Sequence, residues 1–194
     1  MPLLALLVLG AQVGGTASGA VTSPASSNSV CTGVRVTASD RTLPPKDMTF
    51  SSRETLDLLF HPRLRLDLTG EHLMQLKVIT PGGFLYQVIT LPFVGAARPG
   101  SGDRPGWTTN RGAPETADPL PPRVVPGFPR PLEVQRLQPV AGRATRAAYE
   151  LSARLPVAGT SITLSSLYGT WSVQPYLDGQ AEPCGPAARF TIRD

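Results

Sequence analysis

The chain reads as an all-β sandwich tied by one disulfide, and three observations predict it. Apolar side chains recur at every second position in both halves of the sequence. Turn residues interrupt these runs about every ten residues, a rhythm that favours a sandwich or barrel over helical or α/β folds. Only two cysteines are present, Cys31 and Cys184, near opposite ends of the chain.

Taken in order, the first element is a targeting segment. Met1 to Leu9 is an apolar run that dissolves into Gly14-Gly15-Thr16-Ala17-Ser18-Gly19-Ala20. It is too short for the roughly 20 residues a membrane span requires, and it ends in small residues suited to cleavage after Ala20. Residues 1–20 are therefore expected to be a signal peptide and 21–30 a flexible start to the mature protein. No later stretch is apolar enough to read as a transmembrane segment.

Strands are expected from Cys31 onward. Val34, Val36 and Ala38 share one face, and Leu64, Leu66 and Leu68 repeat the pattern. His72, Met74, Leu76 and Val78 alternate into Pro81-Gly82-Gly83, and a second alternating run from Phe84 to Leu91 follows, which together spell a hairpin. In the second half, Tyr149, Leu151, Ala153 and Leu155 alternate. Trp171 and Val173 share a face, Asp178-Gly179 marks a turn, and Phe190 and Ile192 close the chain. Ser51 to Phe60 carries capping residues compatible with a single helical turn, and Arg143 to Tyr149 is open to either reading.

Between the halves, Gly95 to Pro131 holds nine Pro and six Gly with no period of two or 3.6. This 95–131 segment is expected to be a Pro/Gly-rich, disordered insertion loop within a single domain spanning 31–194. The flanking pieces, about 64 and 63 residues, are each marginal as domains, because a 60-residue unit buries only about 60% of its unfolded surface. A Cys31–Cys184 bridge joining the first strand to the last hairpin makes the two pieces one body.

The formal charge is +4, but 16 of the 18 basic residues are Arg scattered among Pro, Ala and Gly. A nucleic-acid binder shows clustered charge interleaved with aromatics, so no nucleic-acid role is expected. The two histidines, His61 and His72, have no further ligand at metal spacing, so neither metal nor cofactor is expected. No nucleophile elbow, Ser-x-x-Lys or phosphate loop is present, and no catalytic residue is assigned. Trp171 reads as a core residue more than as a ligand platform with Tyr168 and Tyr176. In the Pro/Gly segment, Trp107, Arg123, Phe128 and Arg130 are the candidate partner contacts, set in a polyproline-rich context that groove-type partners read.

Leu155-Pro156-Val157-Ala158-Gly159-Thr160, Tyr168-Gly169-Thr170-Trp171-Ser172-Val173 and the closing Phe190-Thr191-Ile192 resemble the end of immunoglobulin-like modules of bacterial secreted proteins. The resemblance covers about the last 50 residues. It implies an immunoglobulin-like sandwich of about seven to nine antiparallel strands, although the cysteines do not bridge mid-sandwich strands as antibody-type domains do. The expected role is a secreted, periplasmic or extracellular, non-catalytic module binding a protein or other envelope component through an exposed strand edge or the 95–131 segment. The alternatives are a secreted enzyme or enzyme-accessory domain with its site in the end loops, and a structural spacer.

Overall fold

The structure, a computed structural model, describes residues 30–41, 43–65, 68, 70–95, 119–140 and 148–194. The expected signal peptide and Trp107 lie outside the described residues. The fold is an all-β sandwich of two sheets. One has five strands: β1 (Cys31–Ala38), β3 (Asp57–Arg65), β7 (Gln138–Pro139), β8 (Ala148–Glu150) and β9 (Ala153–Pro156). The other runs in the order β2 (Thr49–Ser51), β11 (Ala188–Arg193), β10 (Gly169–Leu177), β4 (Glu71–Ile79), β5 (Leu85–Val94), β6 (Gln135–Arg136). Seven of these strands have four residues or more, in line with the expected count. The other four are fragments of two or three residues: β2, β6 and β7 at sheet margins, and β8 between β3 and β7. Two of those fragments, β2 on β11 and β6 on β5, pair in parallel, where only antiparallel pairing is expected.

Alternation places one row of each strand in the shared interior. Leu58, Phe60 and Leu64 of β3 face Met74, Leu76 and Val78 of β4, Leu91 and Phe93 of β5, and Trp171 and Val173 of β10, all within one core. An aromatic group spans the two layers: Phe60 meets Phe190 at 5.6 Å between ring centroids, and Phe190 stacks on Trp171 at 6.4 Å. Tyr86 stands edge-on to Trp171 at 5.2 Å. The fully buried Trp171 satisfies its one polar atom by donating Nε1–H to the Leu167 carbonyl, as a buried indole requires. A single-turn helix, α1 (Ser161–Leu164), caps this end, with Thr160 accepting the Ile162 N–H and Ile162 fully buried.

The ambiguous Ser51–Phe60 segment divides in two. The Thr55 N–H closes one helical turn on the Ser51 carbonyl, and Asp57 then enters β3. Asp178-Gly179 turns the chain with both residues at positive φ, +50° and +70°, the geometry an Asp-Gly hairpin turn demands. Cys31 and Cys184 are bonded, 5.2 Å apart at Cα. The staple is reinforced by the backbone, since the Cys31 N–H donates to the Cys184 carbonyl and the Cys184 N–H to the Pro175 carbonyl, which ties β1 to β10 of the opposite sheet. Residue 185 must be glycine there, because a Cβ would lie 2.3 Å from the Cys31 carbonyl oxygen.

Of the Pro/Gly segment, residues 96–118 lie outside the described residues. The part from Pro119 is described and makes a reversal: Arg123 and Leu132 exchange backbone hydrogen bonds of 2.8 Å, Pro126-Gly127 form the bend, and Val125 is buried.

Candidate functional site

The β4–β5 hairpin builds the most distinctive surface. Its turn has three residues: the Gly83 N–H bonds to the Thr80 carbonyl and the Thr80 N–H to the Phe84 carbonyl. Gly83 takes φ +81°, a left-handed position that costs glycine nothing. Register then runs from Ile79 opposite Leu85 to Glu71 opposite Val94, with one irregularity beside the turn.

Backbone direction alternates along a strand, and three bonds fix its phase. Leu73 accepts the Asp178 N–H and so faces β10, Gly70 accepts the Gly95 N–H and so faces β5, and Pro175, opposite Leu76, turns its carbonyl toward Cys184. It follows that Gln87, Ile89 and Leu91 spend their backbone groups on β4. The N–H and C=O of Val88 and Thr90, and the C=O of Pro92, point away from it. Among the described residues only β6 pairs on that side, and its parallel register at Phe93 and Val94 takes up the Pro92 carbonyl and the backbone groups of Val94. Pro92 fits this placement, because proline is tolerated where no ladder donor is needed.

The side chains along this open edge are unusual for a surface. From Phe84 to Val94 there is no charged residue. Phe84 is 75% exposed, Leu85 58% and Val88 36%. Lys77, across from Val88, leans the other way, with Nζ 3.9 Å from the ring centre of Tyr176 on β10. Tyr176 therefore lies on the outer face of its sheet while Trp171 lies in the core, so the two do not form a common platform.

A second polar cluster occupies the outer face of the five-stranded sheet. Arg35 donates to Glu150 at 2.9 Å, Arg63 Nε lies 3.7 Å from the other carboxylate oxygen, and His61 Nε2 sits 3.2 Å from Thr37 Oγ1. Burial, with the nearby Arg35 charge, pushes the His61 imidazole below its ordinary value; Glu150 acts in the opposite sense. Open depressions of about 340 and 360 Å³ flank the ring. The hydroxyl–imidazole pair is not arranged for nucleophilic chemistry, since Thr37 is only 1% exposed and a substrate has no approach to its Oγ1. Glu150 is committed to two guanidinium groups.

His72 is a strand residue held in place. Its ring stacks on Phe93 at 5.4 Å and its Nδ1 lies 2.8 Å from Asp178, whose other oxygen accepts the Leu73 N–H. Among the described residues, no three His, Cys, Asp or Glu side chains gather as a metal site, and no helix is long and apolar enough to cross a membrane.

Of the candidate contacts, Arg123 lies in the 119–132 reversal with Nη1 3.7 Å from Glu71, at the far end of the β4–β5 ladder from the hairpin tip. Phe128 and Arg130 are exposed on the same reversal. The structure thus brings one of the predicted contacts, Arg123, near one end of β5 and sets Phe128 and Arg130 on the same reversal, while sequence reasoning did not single out Val88 and Thr90. The signal that pointed to them was the eleven-residue run without charge. Comparison with known proteins found no matching family model, no matching curated protein and no matching solved structure.

Proposed function

We propose that this chain is a secreted, periplasmic or extracellular, non-catalytic module that binds or assembles with a protein partner by accepting an extended segment onto the open edge of β5. The observation that carries the reading is the uncharged edge from Leu85 to Leu91, where no strand among the described residues pairs with the outward backbone groups of Val88 and Thr90, and where Phe84 and Leu85 are exposed at the tip. Soluble sheets ordinarily blunt such edges with charge, proline or cover, because an open ladder is a template for another strand. The disulfide fits an oxidising compartment, and the likeness of the last third to immunoglobulin-like secreted modules agrees with a binding role by analogy.

Thr90→Pro removes an outward N–H without touching the β4 ladder. In capture experiments from an exported-protein fraction, this variant is expected to recover the partner at least about tenfold less well, the equivalent of roughly one lost main-chain hydrogen bond. A Phe128→Ala/Arg130→Ala double variant is expected to bind as the intact protein does. The opposite result, binding lost with the double variant and kept with Thr90→Pro, assigns the contact to the 119–132 reversal and refutes the edge.

A further inference from the structure

Resting on that reading, we infer that the segment accepted by β5 is β5 of a second copy, so that two molecules join their six-stranded sheets across a two-fold axis. An isologous contact requires a self-complementary patch, and this edge supplies one. Antiparallel pairing with Ile89 facing Ile89 of the second copy sets Val88 opposite Thr90 of the second copy, and Thr90 opposite its Val88. All four N–H and C=O sets at these positions then exchange bonds in two reciprocal pairs. Val88 and Thr90 share the outer face of the sheet, where facing β-branched side chains pack well across a strand pair.

Charge selects the occupant. Two identical edges usually repel when they carry charge; here nothing from Phe84 to Val94 is charged, and Lys77 is turned to Tyr176. A charged partner segment finds no complement along this edge, whereas an identical one meets no like charge. The same register would carry Leu85 onto the position beside Phe93 of the second copy that β6 already occupies, so the pairing stops short of Phe93. A contact of one short strand pair is small on the scale of stable dimers, so the association is expected to be reversible and concentration-dependent.

Sedimentation velocity of the purified protein from low micromolar to millimolar concentration tests the inference. The intact protein is expected to pass from one to two chains. Val88→Lys, which sets two ammonium groups across the axis, and Thr90→Pro are each expected to weaken association at least about tenfold, while Thr32→Lys on β1 leaves it unchanged. Val88 is exposed on the outer face, so that variant folds independently of any strain proline introduces, and circular dichroism checks both. A dimer that survives both edge variants, or an intact protein that stays single at millimolar concentration, overturns self-pairing. If the intact protein is single yet loses partner capture with Thr90→Pro, self-pairing falls and strand addition stands. If neither association nor edge-dependent capture is seen, both fall.

Discussion

β1 and β5 are the two long strands at sheet margins, and the chain treats them in opposite ways. β1 is fastened at its start by the Cys31–Cys184 bond and by the Cys31 N–H on the Cys184 carbonyl. Its register breaks between Cys31 and Gly33, and its outer face carries Arg35 in an ion pair with Glu150. These are the devices by which sheets refuse further strands. β5 has a bulge beside its turn and one proline, and otherwise shows β-branched and apolar residues without charge to the open side. Among the described residues the chain blunts one edge and leaves most of its counterpart unpaired, which is the contrast the proposed role rests on.

The largest expected effect tests the fastened side. Replacing both cysteines by alanine releases a closure spanning 153 residues, worth about 4–5 kcal/mol in the chain-entropy model. Chemical denaturation is expected to show a loss of that order, with binding at β5 intact wherever the variant remains folded. A loss below about 1 kcal/mol shows that the staple does not hold β1. The edge variants Val88→Lys and Thr90→Pro sharpen the other side, since they are expected to change association while moving stability by less than about 1 kcal/mol.

The smallest expected effect is acid sensitivity on the β1 side. His61 pairs across from Arg35 and has its proton affinity lowered in the folded state, first by burial and then by Arg35. Below its ordinary value of about 6.5 the unfolded chain takes up a proton that the folded chain resists, so this contribution to stability is present above that pH and is lost as pH falls. Melting temperatures measured on descending pH are expected to drop more steeply for the intact protein than for His61→Gln. Equal slopes remove His61 from the account.

Much of the scaffold was legible because its cues are local. Alternation marked Met74, Leu76, Val78, Trp171, Val173, Phe190 and Ile192 as one interior, Pro81-Gly82-Gly83 announced the hairpin, and two cysteines left one simple pairing. The fragments β2 and β6 were not legible, because two or three residues carry no period and their parallel pairing depends on where the chain returns in space. The reversal at Arg123–Leu132 was hidden in a composition that reads as loop, although Pro126-Gly127 is a turn signal in its own right. Whether β5 is a central or a marginal strand is a property of sheet order, which alternation does not encode. Its outer half was therefore invisible until the neighbours of β4 and β10 were known.

Amide hydrogen exchange resolved by residue is the most direct test of the open edge. In dilute protein the amides of Val88 and Thr90 are expected to exchange far faster than those of Gln87, Ile89 and Leu91, which bond to β4, and to slow as concentration rises. Strong protection of Val88 and Thr90 where sedimentation shows only single molecules means that the chain covers this edge itself, and contradicts the account.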